Sequence, residues 1–170
     1  MTRYASPLIL IHWLMAVAVV IAYVSSGDPT KASHALSGQI HVGSGLAVFA
    51  LLVLRLPLRA LFGAPPAEPG PRWQQRATVA VHLALYGLMA VVPLAGWAEL
   101  AHKTAAFSLA GGFALPLPDA HAAWVRLLGS AHQTLGNVLI WLAGLHAAAA
   151  LVHHYVLRDA TLVRMLPRRR

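Results

Sequence analysis

Cysteine is absent from this 170-residue chain, and acidic side chains nearly so: five Asp and Glu stand against thirteen Lys and Arg. The first absence excludes thiolate-bound zinc, iron–sulfur clusters and disulfides, leaving imidazole as the main metal ligand. Charge of either sign is scarce. Only 11% of residues are charged, against roughly 25% in a soluble domain. So little polar surface cannot cover a water-soluble globule, and 58% hydrophobic residues make a lipid bilayer the expected solvent. The formal charge of +8 fits nucleic acid or acidic lipid as a partner. Its placement in the short flanks of apolar runs favours lipid and leaves no nucleic-acid patch.

Four apolar runs are predicted to span, at 7–24, 38–61, 77–100 and 124–157. The first is close to the roughly 20 residues needed to cross about 30 Å of hydrocarbon. It exceeds a signal peptide's apolar core, so it reads as an uncleaved first span. Ser25, Gly27, Asp28 and Pro29 end it, and a Pro- and Gly-rich stretch over 63–71 ends the second. Pro57 and Pro93 are expected kinks. A longer mixed loop with Gly111, Gly112, Pro116 and Pro118 precedes the fourth run, which is long enough to tilt or project. Arg59, Arg72 and Arg76, with Arg158, Arg164 and Arg168 to Arg170, outnumber Lys31, Lys103 and Arg126 in the other connections. That bias places both termini in the cytoplasm. Several of the five tryptophans, Trp13, Trp73, Trp97, Trp124 and Trp141, are expected interfacial anchors, Trp13 and Trp141 lying deeper. No internal repeat is visible. The expected architecture is a single-domain, all-α, up-down four-helix membrane bundle.

Four of the histidines within these runs stand out: His12, His41, His132 and His146. An ionisable side chain inside a span marks a candidate functional site. His146 follows His132 by 14 residues, nearly four whole turns and about 21 Å at ~1.5 Å per residue. Both imidazoles therefore leave one face of the fourth helix, at two depths. In an up-down bundle His41 matches His132 in the outer leaflet, and His12 matches His146 in the inner one. Small residues flank three of the four at the −3 and +4 positions, which share a helix face. These are Gly38 and Gly45 for His41, Gly129 and Gly136 for His132, and Ala143 and Ala150 for His146. His12 has Ala16 on one side and Ile9 on the other. Small neighbours clear space for a flat macrocycle held edge-on, and they also serve close helix packing in membranes. Two opposed imidazoles per site, without carboxylates, is the ligand set of a bis-histidine haem. A non-haem metal carrier is the competing reading. It would call for carboxylates or three converging histidines, and no acidic residue lies deep in a span.

The segments around these histidines resemble a known family. Ile11-His12-Trp13-Leu14, Ile40-His41-Val42 and His82-Leu83-Ala84-Leu85-Tyr86 look like the bacterial cytochrome b-561 family, as does His132-Gln133-Thr134-Leu135. The stretch Gly144-Leu145-His146 through Val152-His153-His154-Tyr155, and the ending Thr161 to Arg168, are similar too. The resemblance covers nearly the whole chain. It implies a di-haem b-type cytochrome of the bacterial inner membrane, with His12 and His146 on the inner haem iron and His41 and His132 on the outer one. It also implies electron exchange with a quinone, ubiquinone in the best-defined members, which take their electrons from periplasmic superoxide. The connection 101–123 departs most from those members, which leaves the donor open. A haem-bearing anchor that links quinone to a partner dehydrogenase or redox protein is the other reading.

Several further residues are candidates. His153 lies seven residues after His146 on the same face. It is either a quinone hydrogen-bond and proton partner or a solvated interfacial histidine, and His154 points away. His82 is a rival inner ligand or part of the quinone pocket. Arg55 either snorkels to the headgroups or pairs with a haem propionate. His34, His102 and His121 are expected in outer loops as solvated residues. Lys31, Lys103 and Arg126 could draw a small anion to the outer face, with Asp28, Glu99 and Asp119 close by in sequence. The run Arg168 to Arg170 is expected on anionic lipid.

Overall fold

The computed structural model describes residues 3–31, 35–66, 68, 70–110 and 112–167. His34, Gly111 and Arg168 to Arg170, named above, lie outside them. Four helices make up most of the chain: α1 (Ser6–Val24), α2 (Ala35–Phe62), α3 (Arg72–Lys103) and α4 (Ala123–Tyr155). All four are long and apolar enough to cross a membrane. They form the expected up-down bundle. The start of α1, the α2–α3 connection and residues 156–167 lie at one end, the terminal end. The α1–α2 and α3–α4 connections lie at the other, the hairpin end.

Helix limits differ from the hydropathy limits in ways the backbone explains. α3 starts at Arg72, five residues before the apolar run, because Pro71 supplies an N-terminal boundary and the polar turn Gln74-Gln75-Arg76 stays helical outside hydrocarbon. Its 32 residues, roughly 48 Å, exceed the apolar layer. α4 stops at Tyr155 instead of reaching Leu157. Arg158 there takes φ 56°, a left-handed conformation that turns the chain back across the bundle end. Both α2 and α3 continue through their internal prolines.

The α3–α4 connection is no plain loop. A two-stranded antiparallel hairpin, β1 (Phe107–Leu109) with β2 (Phe113–Leu115), pairs Phe107 with Leu115 and turns through Gly112 at φ 83°. One side chain docks it on the bundle. The Gln39 amide donates to the Ser108 carbonyl at 2.9 Å and accepts from Ala110 N–H at 3.0 Å, filling the open edge of β1 as a third strand would. Trp97 Nε1–H donates to the Pro116 carbonyl at 2.7 Å.

Packing is uneven. α1 lies mainly on α2, and α3 mainly on α4, while α1 and α4 barely touch. One apolar cluster, Ile11, Met15 and Leu52 with Tyr86 and Met89, joins α1, α2 and α3. A second, Ala98, Ala101 and Val125, joins α3 to α4 at the hairpin end. Side chains such as Leu145 and Trp141 are 66% and 74% exposed. In lipid that exposure carries no hydrophobic penalty, so the bundle is held by close packing and by polar contacts between helices.

At the terminal end residues 156–167 form a strap. Tyr4 N–H donates to the Arg164 carbonyl and Trp13 Nε1–H to the Met165 carbonyl at 2.8 Å. The Arg164 side chain binds the Pro66 carbonyl and, at 2.6 Å, Glu68. The strap thus ties the start of α1 and the α2–α3 connection to the chain's last described residues.

Candidate functional site

Across the sparsely packed gap that α4 faces, the four intramembrane histidines meet in two pairs. His12 and His146 have ring centres 6.3 Å apart, toward the terminal end. His41 and His132 have ring centres 5.8 Å apart, toward the hairpin end. One iron between two imidazoles, on bonds of about 2 Å as imidazole makes to first-row metals, requires ring centres roughly 6 Å apart. Both pairs meet that requirement without any shift of helices.

Hydrogen bonds orient the hairpin-end pair. His41 Nδ1–H donates to the Ala22 carbonyl at 2.7 Å and His132 Nδ1–H to the Val92 carbonyl at 3.0 Å. A carbonyl only accepts, so each ring carries its proton on Nδ1 and presents a free Nε2 lone pair. That is how a metal-binding histidine is held by its outer partner. The Ala22 carbonyl is available because it belongs to the last turn of α1, where carbonyls lack intrahelical partners. His132 can approach the backbone of α3 only because residue 96 is glycine: a Cβ there would sit 2.8 Å from His132 Cε1.

The flanking glycines divide into two kinds. Around Gly45 and Gly136 no atom comes within 4 Å of where a Cβ would project, so the space they leave is empty of protein. Gly38 and Gly129 correct the expectation that all four clear room for a macrocycle. A Cβ on Gly38 would lie 2.3 Å from Pro29 Cα, and one on Gly129 would lie 3.0 Å from the Glu99 backbone nitrogen. These two serve close backbone approach, to the α1–α2 connection and to α3. Ala143 and Ala150 are half-buried on α4 beside His146.

At the terminal-end pair a third ring approaches. His82 lies 5.2 Å from His146, with Nδ1–H donating to the Thr78 carbonyl at 2.7 Å. Even so, no three His, Asp or Glu side chains among the described residues are placed to bind one metal ion. Arg55 is buried, 6% exposed, and so does not snorkel. Its Nε donates to the Tyr86 hydroxyl at 3.2 Å and its Nη1 to the Leu8 carbonyl at 3.1 Å. It stands within electrostatic reach of both His12 and His146. A guanidinium whose hydrogen-bond partners here are neutral would be suited by an anion, such as a haem propionate would supply.

His153, below this pair, is not a solvated interfacial residue. Its Nδ1–H donates to Asp159 Oδ2 on the strap, and the Gln74 amide of α3 donates to its Nε2 at 3.0 Å. Burial would raise the Asp159 carboxyl, but hydrogen bonds from His153 and Thr161 outweigh it and hold the group below the usual carboxylate range. His154 packs edge-on against Tyr155. At the hairpin end His121 and His102, the latter in the last turn of α3 instead of the expected loop, are exposed and both line a hollow of about 430 Å³. Lys103 is paired with Glu99 at 2.7 Å.

Gly96, Gln39, Gln74 and Asp159 are site-shaping residues that the sequence pattern missed. Each acts on a partner from another element, and only Gly96, one turn past Pro93, carried any local signal.

Known proteins have sequences related to this chain. The sequence profile described as prokaryotic cytochrome b561 matches residues 3–168. Cytochrome b561 homolog 1 of Escherichia coli K12 is 30% identical over 176 aligned residues, covering all of both chains. The probable superoxide oxidase CybB of Yersinia pestis is 33% identical, covering 99% of this chain and 98% of its own. Cytochrome b562 of Cereibacter sphaeroides is 28% identical over 93% of this chain and 91% of its own. With its four spanning helices, the chain belongs to the prokaryotic cytochrome b561 family, haem b-binding electron-transport proteins of the bacterial inner membrane.

Proposed function

We propose that the protein carries electrons across the inner membrane on two b haems, oxidising superoxide at the periplasmic face and reducing a quinone, ubiquinone by resemblance, at the cytoplasmic face. The observation that carries this reading is the pair of opposed imidazole sets, 5.8 and 6.3 Å between ring centres, at opposite depths of one bundle. His41 and His132 hold one iron, and His12 and His146 the other. His82 stands beside the second pair as part of the acceptor pocket. Bound haem supplies reversible one-electron chemistry at each depth.

The residues do the rest. Gly45 and Gly136 leave the ring space open, the Ala22 and Val92 carbonyls fix the hairpin-end imidazoles, and Arg55 neutralises a propionate. Arg55 also raises the affinity of the terminal-end site for an electron, since a buried cation favours the reduced state. Superoxide as donor is supported by the Yersinia relative's name. Two superoxide ions give one electron each and leave as dioxygen, and one quinone takes two electrons and two protons to become quinol.

The orientation follows from charge. Ten arginines in sequence belong to the terminal end, against Glu68 and Asp159, so that end is the cytoplasmic one.

A pyridine haemochrome assay on the purified protein should give two haems per chain. His41→Ala and His146→Ala should each remove one haem and leave the other. Retention of both haems in both variants would refute the pairing. Two haems without any superoxide-dependent quinone reduction, together with a co-purifying subunit, would favour the anchor reading.

A further inference from the structure

At the terminal end three elements meet on one imidazole. α4 contributes His153, the strap contributes Asp159, and the first turn of α3 contributes Gln74. Asp159 is bound on all sides: its backbone N–H donates to the His153 carbonyl at 3.0 Å, and Oδ1 accepts from Thr161 N–H at 2.8 Å. The carboxylate is therefore fixed, and so is the edge of the ring it holds.

We propose that Asp159 makes His153 a proton-loading site whose exchanging atom is Nε2, and that the Gln74 amide, a donor to the unprotonated Nε2, is a displaceable stand-in that gives way to a quinone carbonyl once Nε2 carries a proton. This rests on the reading of the terminal end as the quinone-reducing end.

With Nδ1–H committed to a carboxylate, any added proton goes to Nε2, and the resulting imidazolium is stabilised by its anionic partner, as in a His–Asp dyad. Gln74 gives way to the arriving quinone oxygen, to which Nε2–H then donates. As the quinone takes up two electrons from the donor oxidised at the far face, the Nε2–H bond breaks and an O–H bond forms on that oxygen. The second proton reaches the other oxygen from water. His153 is left neutral with Nδ1–H still on Asp159, and water at the cytoplasmic face reloads Nε2. Of the two side chains bound to the ring, Asp159 is charged and Gln74 is neutral. On its own helix His154 and Tyr155 follow it; the charged groups of the same end include Arg3, Arg59, Arg72 and Arg76, Arg158 and Arg164 on the strap, and Glu68.

The test uses the full-length haem-loaded protein in nanodiscs, with a superoxide generator and a soluble ubiquinone analogue. Asp159→Asn keeps an oxygen for Thr161 N–H but loses the charge. Its haem spectrum and KM should stay close to wild type. Its kcat should fall about a hundredfold, within the range of a lost acid–base group, and the pH dependence of kcat should change shape. Asp159→Glu should restore part of the rate. Gln74→Leu should lower the KM for quinone, because the competing amide is gone; a raised KM would overturn the stand-in role. In ¹⁵N spectra of His-labelled wild type the neutral ring of His153 should show the Nδ1–H tautomer, and the Nε2–H form would overturn the dyad even if Asp159→Asn fails to accumulate. His153→Ala separates the two levels. If it abolishes quinone reduction while Asp159→Asn retains full rate and an unchanged pH profile, only the dyad falls. If it leaves quinone reduction intact, the assignment of the acceptor site falls as well.

Discussion

Gly38 and Gly45 flank His41 one turn to either side, yet they meet different surroundings. Pro29 presses on the first, and nothing lies within 4 Å of the second. Their variants should therefore fail differently. Gly38→Ala forces the α1–α2 connection away and should cost about 1–3 kcal/mol of stability, the usual range for overpacking, whether or not haem is present. Gly45→Leu should leave the apoprotein's helix content and melting unchanged while removing the hairpin-end haem. Thermal unfolding of haem-free protein beside the haem-to-protein ratio separates the outcomes, and a Gly45→Leu protein with two haems would show that the open space is not the ring's. A −3/+4 pattern in a sequence marks smallness without saying what approaches the gap. The shared face of His132 and His146 was legible because a 14-residue spacing is a property of one helix. Gly96, by contrast, serves a ring from α4, and no periodicity links residues 96 and 132.

Elements built from apolar periodicity were the readable part. α1 and α2 fall within three residues of their hydropathy limits, while α3 gains a polar turn that hydropathy cannot register. The hairpin of β1 and β2 has strands of three residues each, too short for an alternation to declare itself, and its anchor Gln39 is a single polar residue on α2. The strap was legible only as a cationic tail, because its structure comes from backbone acceptors offered to Tyr4 and Trp13. Acid should loosen it in a defined direction. The Asp159 carboxyl is held below its unfolded value, so its stabilising contribution is full above the ordinary carboxylate range, near about 3.9. That contribution is lost as pH falls through the lowered value. Hydrogen exchange of 156–167 should therefore stay slow at neutral pH and speed up only on strong acidification, and Asp159→Ala should exchange quickly throughout. Rapid exchange in the wild type at pH 7 would remove the strap as a fixed element.

On the scale of the molecule, charge is sharply partitioned. At the hairpin end Lys31, Lys103 and Arg126 are matched by Asp28, Glu99 and Asp119, and Lys103 is directly neutralised by Glu99. The whole formal charge of +8 thus belongs to the terminal end. Electrostatic steering raises encounter rates by roughly 10 to 10³ where one sign dominates a site. No such excess exists at the face assigned to superoxide. The second-order rate of superoxide oxidation should accordingly change less than about twofold as salt rises past the point where the Debye length reaches 10 Å. A steep fall with salt would mean that the net-neutral count misses a local cationic path, for which His102 and His121 at the hollow are the first candidates.

The strap also bears on biogenesis. Contacts from residues 164 and 165 to Tyr4 and Trp13 join a stretch that follows α4 in the chain to the start of α1, so this end of the bundle can close only after all four helices have been made. All four paired imidazoles precede this closing piece in the chain. Until the strap docks, Tyr4 and Trp13 lack these partners and that end of the bundle is untied.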